Sequence, residues 1–166
     1  MALNQTLLPE LEHEGAMTRK MLAAVPFTNP NWKPHEKSMT IQRLAAHVAE
    51  LPGWVSMTIN VDVLDFAKWE YKPAVPVSTE ELLKLHDDNL AKAIADLGKA
   101  SDETLLSNWT MRNGEVVYFT MPKLAVIRTW ALNHIVHHRG QLSVYLRLLN
   151  IPVPGMYGPT ADDTSM

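Results

Sequence analysis

Histidines are the residues of this sequence whose type and spacing point most clearly to chemistry. His134 and His138 lie four residues apart, so in a helix both imidazoles project from one face, one turn from each other. Two imidazoles placed in this way can hold one metal ion. A third histidine, His47, lies on an earlier segment with helical periodicity. We therefore predict a single divalent metal site formed by His47, His134 and His138.

The apolar residues around these histidines predict that they face the interior. A buried imidazole nitrogen without a partner costs about 1–3 kcal/mol, and a metal ion would remove that cost. The alternative is that the histidines are ordinary core or surface residues, because pairs at this spacing also occur without a metal. The stripes with a spacing of three or four residues are Leu124, Ile127, Ala131, His134, His138, Leu142 and Tyr145 on the later segment, and Thr40, Leu44, His47, Leu51 and Trp54 on the earlier one.

Three neutral nitrogen ligands would leave a divalent ion with at least one open coordination position, which is typical of reactive sites. An ion in this setting lowers the pKa of a bound water molecule towards about 7, activates a thiol or polarises a carbonyl. The residues alone do not select among these reactions. The sequence contains no cysteine, so thiol chemistry here would require an external thiol.

Neighbours of the histidine pair have different expected roles. Gln141 follows His138 by three residues, so we expect it to bind or orient a ligand from the same face; the alternative is that it faces a neighbouring helix. Arg139 points away from that face and is expected to pair with an acidic residue or with the C-terminal tail. Gly140 costs about 1 kcal/mol relative to alanine inside a helix, so we expect a close helix crossing there.

The remaining histidines and aromatic residues are expected outside the metal site. His137 is rotated by about 100 degrees from His138, which predicts a surface or interface position. The other histidines lie among charged residues and are expected in solvent: His13, His35 and His86. Three aromatic residues at helical spacing are expected in the core, with lining of the pocket as the alternative: Trp54, Trp130 and Tyr145.

Four segments with helical periodicity must position these side chains. The second is expected to bend at Pro52 and Gly53, and the third begins with the capping box Ser78–Glu81. Asn113 and Gly114, between two β-prone runs, predict a tight hairpin. The expected helices cover about Asn4–Val25, Ser38 or Thr40 to Val63, Ser78–Gly98 and Thr120–Asn150, and the expected strands are Trp109–Met111 and Val116–Phe119.

The fold class that follows is all-α, a four-helix bundle of the up-down-down-up type with a short β-hairpin before the last helix. With 166 residues, 46% of them hydrophobic, we expect one domain over residues 1–166. The 18 acidic and 15 basic residues argue against a nucleic-acid partner. No run approaches the roughly 18 apolar residues that cross a bilayer, and the absence of cysteine fits a reducing compartment. We therefore expect no membrane partner and a cytoplasmic location.

Taken together, these motifs resemble the DinB/YfiT-like family of metal-binding four-helix bundles. The matching elements are Leu44–Glu50 followed by Trp54, the pattern HxxxHRGQL that begins at His134, and the ending Pro154–Gly158. The resemblance implies one ion, zinc or nickel, on the same three histidines, and a homodimer.

The resemblance also implies an activity, because the family includes bacillithiol transferases and a mycothiol-dependent isomerase. Our first hypothesis is a metal-dependent transferase that acts on a small-molecule substrate with a low-molecular-weight thiol. A second is a metal-dependent hydrolase, for which the general base would come from Glu50, Asp162 or Asp163. A third is a metal-binding stress-response module without turnover.

Overall fold

In the computed structural model, which describes residues 2–164, the chain is mostly helical and carries a small three-stranded sheet. The elements in chain order are α1 (Leu3–Ala23), α2 (Ile41–Glu50), α3 (Gly53–Asn60), β1 (Val63–Asp65), α4 (Thr79–Lys99), α5 (Asp102–Leu106), β2 (Asn108–Asn113), β3 (Val116–Pro122), α6 (Lys123–Val126), a π-helical segment (Ile127–Leu132) and α7 (Asn133–Leu148). Helices α4 and α7 each pack against both α1 and α2. Within the described residues, every helix is too short or too polar to span a bilayer.

The N-termini of α2 and α4 are fixed by the side chains that the sequence predicts. Thr40 accepts a hydrogen bond from the amide of Arg43 at 3.1 Å, and Ser78 accepts one from the amide of Glu81 at 3.2 Å. Each bond satisfies an amide group that has no partner inside its helix. The predicted starts of these two helices are therefore confirmed. Because α2 begins at Ile41, His47 lies in its second turn.

Pro52 divides the second predicted helix into α2 and α3. Proline has no amide hydrogen to donate, so the regular hydrogen-bond ladder is interrupted there, as predicted. The backbone of Pro52 stays helical, with φ −56° and ψ −33°, and α3 follows immediately. The predicted end at Val63 is wrong, because α3 stops at Asn60 and Val63 begins a strand. Three residues are too few for an alternating pattern to reveal that strand.

The predicted hairpin is confirmed as the antiparallel pair β2 and β3. Its turn contains Gly114 at φ +57°, a backbone conformation that glycine adopts without steric cost. The sheet is larger than predicted because β1 pairs in parallel with β2, with Leu64 opposite Met111. The fold is therefore not purely α-helical.

The last helix differs from the predicted regular α-helix in its first half. Between Ile127 and Leu132 it is π-helical, and the amide of Asn133 bonds to the carbonyl of Arg128, five residues earlier. The expectation of a close crossing at Gly140 is wrong: a Cβ there would meet no atom within 4 Å. The close approach occurs instead at Gly15 of α1, where a Cβ would lie 2.4 Å from a methyl group of Leu90.

The last helix crosses two hydrophobic clusters, and the histidine pair lies between them. The π-helical segment contributes Ile127 to one cluster, together with Leu11 and Val55, while α7 contributes Leu142 to the other, together with Leu44. Packing against both clusters fixes the helix on either side of the histidines. The pair is thus held on rigid secondary structure rather than on a loop.

Candidate metal centre

Three half-buried histidines from two helices converge on one point of the bundle. The Nε2 atom of His134 on α7 lies 2.8 Å from Nε2 of His138 and 3.4 Å from Nε2 of His47 on α2. Nitrogen ligands about 2.0–2.1 Å from one zinc ion are separated by about 3.3 Å at tetrahedral angles and about 2.9 Å at right angles. In the described part of the chain, His47, His134 and His138 are the only His, Cys, Asp or Glu side chains grouped closely enough to hold a metal ion.

Hydrogen bonds on the outer side of two rings determine where their protons lie. Nδ1 of His134 is 3.3 Å from the carbonyl oxygen of Trp130, and Nδ1 of His138 is 2.7 Å from Oε1 of Gln141. Both partners are acceptors, so each Nδ1 carries the hydrogen and donates it. The Nε2 atoms of His134 and His138 consequently present lone pairs to each other at 2.8 Å. Two lone pairs this close repel unless a cation lies between them.

All three imidazoles are held in the neutral form that a ligand requires. Burial is the main cause that lowers the pKa of His134 and of His138. Repulsion from His138 and His137 lowers the pKa of His134 further, and repulsion from His137 and Arg43 does so for His138. The pKa of His47 is lowered to about 3, mainly by burial and then by repulsion from His138, His134 and Arg43. At neutral pH the site therefore offers three uncharged nitrogen donors to a divalent ion.

Gln141 lies where the sequence places it, on the same face as the histidine pair. Its Oε1 accepts from Nδ1 of His138, and its amide nitrogen lies 3.0 Å from Nε2 of His137. In this orientation the amide donates to His137 and accepts from His138, so it holds the tautomer of His138. His137 itself is exposed, as predicted. Binding of any other molecule by Gln141 stays a prediction.

Aromatic rings close one side of the cluster. The indoles of Trp54 and Trp130 are parallel, with an interplanar angle of 4° and centroids 6.1 Å apart. Trp54 also presents itself edge-on to His47 at 6.5 Å and to His134 at 5.7 Å. These two tryptophans adopt the alternative role that the sequence left open, lining the site. Tyr145 belongs to the core, as expected.

Trp130 also borders a cavity that is open to solvent. The cavity has a volume of about 300 Å³ and is bounded by Trp130, His134, His137, Thr129 and Asn133. Thr129 and Trp130 belong to the π-helical segment, a kind of distortion that is frequent at functional sites, and the other three residues lie in the first half of α7. The cavity gives a small molecule a route to the face of His134.

Glu50 lies beside the cluster but is fully engaged. Its Oε2 accepts from the hydroxyl of Tyr71 at 2.6 Å and from Arg43 at 3.2 Å, while its Oε1 accepts from the amide of Ala74 at 2.7 Å. The distance from Oε2 to Nδ1 of His47 is 4.0 Å. The position of Tyr71 could not be predicted from the sequence, because residues 66–77 have neither helical nor strand periodicity.

The two tail acids considered as general bases bind basic side chains instead. Asp162 pairs with Arg147 at 2.5 Å and accepts from the amide of Val153 at 3.0 Å. Asp163 pairs with Lys20 of α1 at 2.6 Å. These contacts hold the tail against α1 and α7.

The expectation that Arg139 pairs with an acidic residue or with the C-terminal tail is confirmed, because it contacts both. Its guanidinium is buried, bonds to the Glu14 carboxylate at 2.5 Å and also donates to the hydroxyls of Thr18 and Tyr157. Tyr157 in turn donates to Glu14 at 2.7 Å. A buried ion pair therefore fastens α7 and the tail to α1, one residue away from His138.

The expectation that His86 lies in solvent is wrong, whereas His13 and His35 are exposed as predicted. His86 is fully buried in α4, with Nδ1 3.1 Å from an oxygen of Asp87, and burial lowers its pKa. His86 follows the buried Leu82 by four residues, a spacing that places both side chains on the inward face of α4. The charged neighbours in sequence hid this pattern, because they lie on the outer faces of the same helix.

Comparison with known proteins agrees with this description. A family model described as the DinB family matches residues 1–165. The uncharacterized protein YrdA of Bacillus subtilis (strain 168) is 27% identical over 160 residues, which cover 94% of this chain and 89% of YrdA.

Two solved structures share the fold. A DinB-like protein from Bacillus cereus ATCC 10987 superposes with a TM-score of 0.70 at 24% sequence identity, covering 94% of this chain and 98% of that one. YjoA, a DinB-like protein from Bacillus subtilis, superposes with a TM-score of 0.66 at 19% identity, covering 87% of this chain and 92% of YjoA. Because the family model matches nearly the whole sequence, this chain belongs to the DinB family.

Proposed function

We propose that this protein is a metal-dependent transferase that holds one zinc or nickel ion on His47, His134 and His138 and acts on a small-molecule substrate with a low-molecular-weight thiol. The observation that carries the proposal is the 2.8 Å distance between Nε2 of His134 and Nε2 of His138, together with an oxygen acceptor beside the Nδ1 atom of each ring. An arrangement of this kind is stable with a cation between the nitrogens. A divalent ion in it would act as a Lewis acid that promotes ionisation of a thiol.

The chain's own residues supply orientation and shelter around that ion. The carbonyl of Trp130 and the amide of Gln141 hold His134 and His138 in the ligating tautomer. The Trp54 and Trp130 rings would shield part of the site from water, and the cavity bordered by Trp130 and His134 would admit the substrate.

A thiol reaction suits the groups that surround the site. The chain has no cysteine, so the sulfur must come from a separate molecule. In the transfer, the thiol sulfur bonds to an electrophilic carbon, the leaving group departs with its bonding electrons, and the thiol proton passes to solvent. Hydrolysis would need a general base, and Glu50, the acid beside His47, already accepts three hydrogen bonds. This engagement favours the transferase over the hydrolase.

The proposal is tested with purified protein loaded with zinc or nickel. It is incubated with an electrophilic aryl halide and, in separate reactions, with bacillithiol, mycothiol or glutathione; a parallel reaction contains an activated ester and no thiol. Thiol-dependent turnover that is lost in His134→Ala and retained in His13→Ala, a matched change at an exposed histidine, supports the transferase. Thiol-independent ester hydrolysis would assign a hydrolase instead. Stoichiometric metal binding without turnover would assign a non-catalytic binding module.

The setting of this activity is part of the same proposal. We place the site in a single domain over the whole chain, with the four main helices in up-down-down-up order, and in a homodimer. A cytoplasmic location fits a chain without cysteine, because reduced thiol cosubstrates accumulate in reducing compartments.

A further inference from the structure

Glu50 joins the helix of His47 to the segment that follows the first strand. It lies on α2, three residues after His47, and its side chain is only 13% exposed. The hydroxyl of Tyr71 and the amide of Ala74 donate to its two oxygens at 2.6 Å and 2.7 Å. Arg43 adds a third bond at 3.2 Å. The carboxylate therefore has a fixed position at the edge of the histidine cluster.

This fixed carboxylate faces the only Nδ1 atom among the three histidines that lacks a hydrogen-bond partner. Nδ1 of His47 is buried and makes no hydrogen bond, and Oε2 of Glu50 lies 4.0 Å from it. Across residues 2–164, no other carboxylate oxygen comes within 4.0 Å of a nitrogen of the three histidines. A negative charge beside Nδ1 favours the tautomer with hydrogen on that atom, which leaves Nε2 bare. Nε2 is the atom that faces His134 at 3.4 Å.

We propose that Glu50 is a positioning residue: its charge selects the ligating tautomer of His47 and offsets part of the charge of a bound ion, and its hydrogen bonds couple the segment around Tyr71 to the metal centre. This inference rests on the proposed metal site. Three neutral ligands leave the ion's charge uncompensated, and Arg43 adds another positive charge nearby, so a carboxylate at this position strengthens binding. Loss of a carboxylate that accepts a hydrogen bond from a metal-bound histidine typically weakens metal binding by about 10–100-fold, and because Glu50 lies 4.0 Å from Nδ1 we expect the lower end of this range.

Two variants separate the effect of the Glu50 charge from the effect of its hydrogen bonds to the segment around Tyr71. Glu50→Gln keeps the shape and an oxygen that can accept from Ala74, but removes the charge. Tyr71→Phe removes a hydrogen bond to the carboxylate and leaves the charge in place. Zinc dissociation constants of the full-length proteins are measured at neutral pH by competition with a chromophoric chelator, and circular dichroism confirms that each variant is folded.

We expect Glu50→Gln to bind zinc about tenfold more weakly than the wild type, and Tyr71→Phe to remain within about threefold of it. Wild-type affinity in Glu50→Gln would overturn the inference. Equal weakening of zinc binding in both variants would also overturn it, because the loss of hydrogen bonds to the segment around Tyr71 would then account for the whole effect.

Nitrogen NMR of the metal-free wild type tests the inference without any variant or metal. Imidazole ¹⁵N shifts distinguish a protonated nitrogen from a bare one, and we expect hydrogen on Nδ1 of His47 and none on Nε2. The opposite tautomer would overturn the role of Glu50 even if Glu50→Gln failed to fold. Failure of the wild type to bind zinc, with the expected tautomer present, would instead count against the proposed function.

Discussion

The buried ion pair between Glu14 and Arg139 offers a sharp test of how the site is held in place. The two side chains are only 10% and 2% exposed and approach to 2.5 Å. Glu14→Gln keeps the shape of the side chain but leaves the guanidinium buried without its counter-charge. Removing one partner of a buried pair typically costs about 3–5 kcal/mol, and for a chain of this size that corresponds to a fall in Tm of about 6–20 °C.

Removal of both charges should cost less than the two single changes together. Arg139→Met fills a similar volume without a charge, so the double variant leaves no unpaired ion in the core. Chemical unfolding of the wild type, both single variants and the double variant gives the coupling free energy, which we expect to exceed about 2 kcal/mol. The surface pair of Arg147 and Asp162 provides a control: Arg147 is 51% exposed, and Arg147→Met should cost less than about 1 kcal/mol.

Two results would refute this reasoning. A loss below about 1 kcal/mol in Glu14→Gln would mean that solvent reaches the pair in solution. Additive losses in the double variant would mean that Arg139 stabilises the fold through packing of its aliphatic part, and that the charge of Glu14 is incidental.

Three further predictions concern the site and its helices. The pKa of His47 is lowered to about 3, so below pH 6.5 the unfolded chain binds a proton that the folded chain excludes. From this residue alone, the free energy of unfolding of the metal-free protein should fall by about 2 kcal/mol between pH 7 and pH 5. Urea titrations that show no such fall would contradict the burial of the ring. Gln141→Leu should weaken zinc binding about tenfold by freeing the tautomer of its histidine, and unchanged affinity in a chelator competition would exclude that role. Gly140→Ala should raise the Tm, because the added methyl group meets open space and alanine favours the helix. Gly15→Ala should lower the Tm, because the added methyl group collides with Leu90. The reverse order of the two Tm values in thermal melts would show that these helices pack differently.

The candidate site could be anticipated because its residues obey helical periodicity. His134 and His138 share a face with Ile127 and Leu142, and both apolar residues are buried in the structure. His47 follows the buried Leu44 by three residues in the same way. Periodicity of this kind is set by the geometry of one helix, so it is visible in the sequence without knowledge of the fold.

Features that depend on other elements could not be anticipated. The strand that begins at Val63 exists only because β2 lies beside it, and its three residues carry no pattern of their own. The bonds from Tyr71 and Ala74 to Glu50 join parts of the chain more than twenty residues apart. The π-helical segment Ile127–Leu132 contains no proline or glycine, and its buried residues Ile127 and Ala131 are four apart as in an α-helix, so the sequence does not predict its wider hydrogen bonds.

The central claim is that imidazoles from two helices share one ion, and a metal titration tests it most directly. Purified metal-free protein is titrated with zinc and with nickel by calorimetry, beside His47→Ala and the matched surface variant His35→Ala. We expect one ion per chain in the wild type and in His35→Ala, and loss of tight binding in His47→Ala. Absence of stoichiometric binding in the wild type, or full retention of it in His47→Ala, would contradict the account.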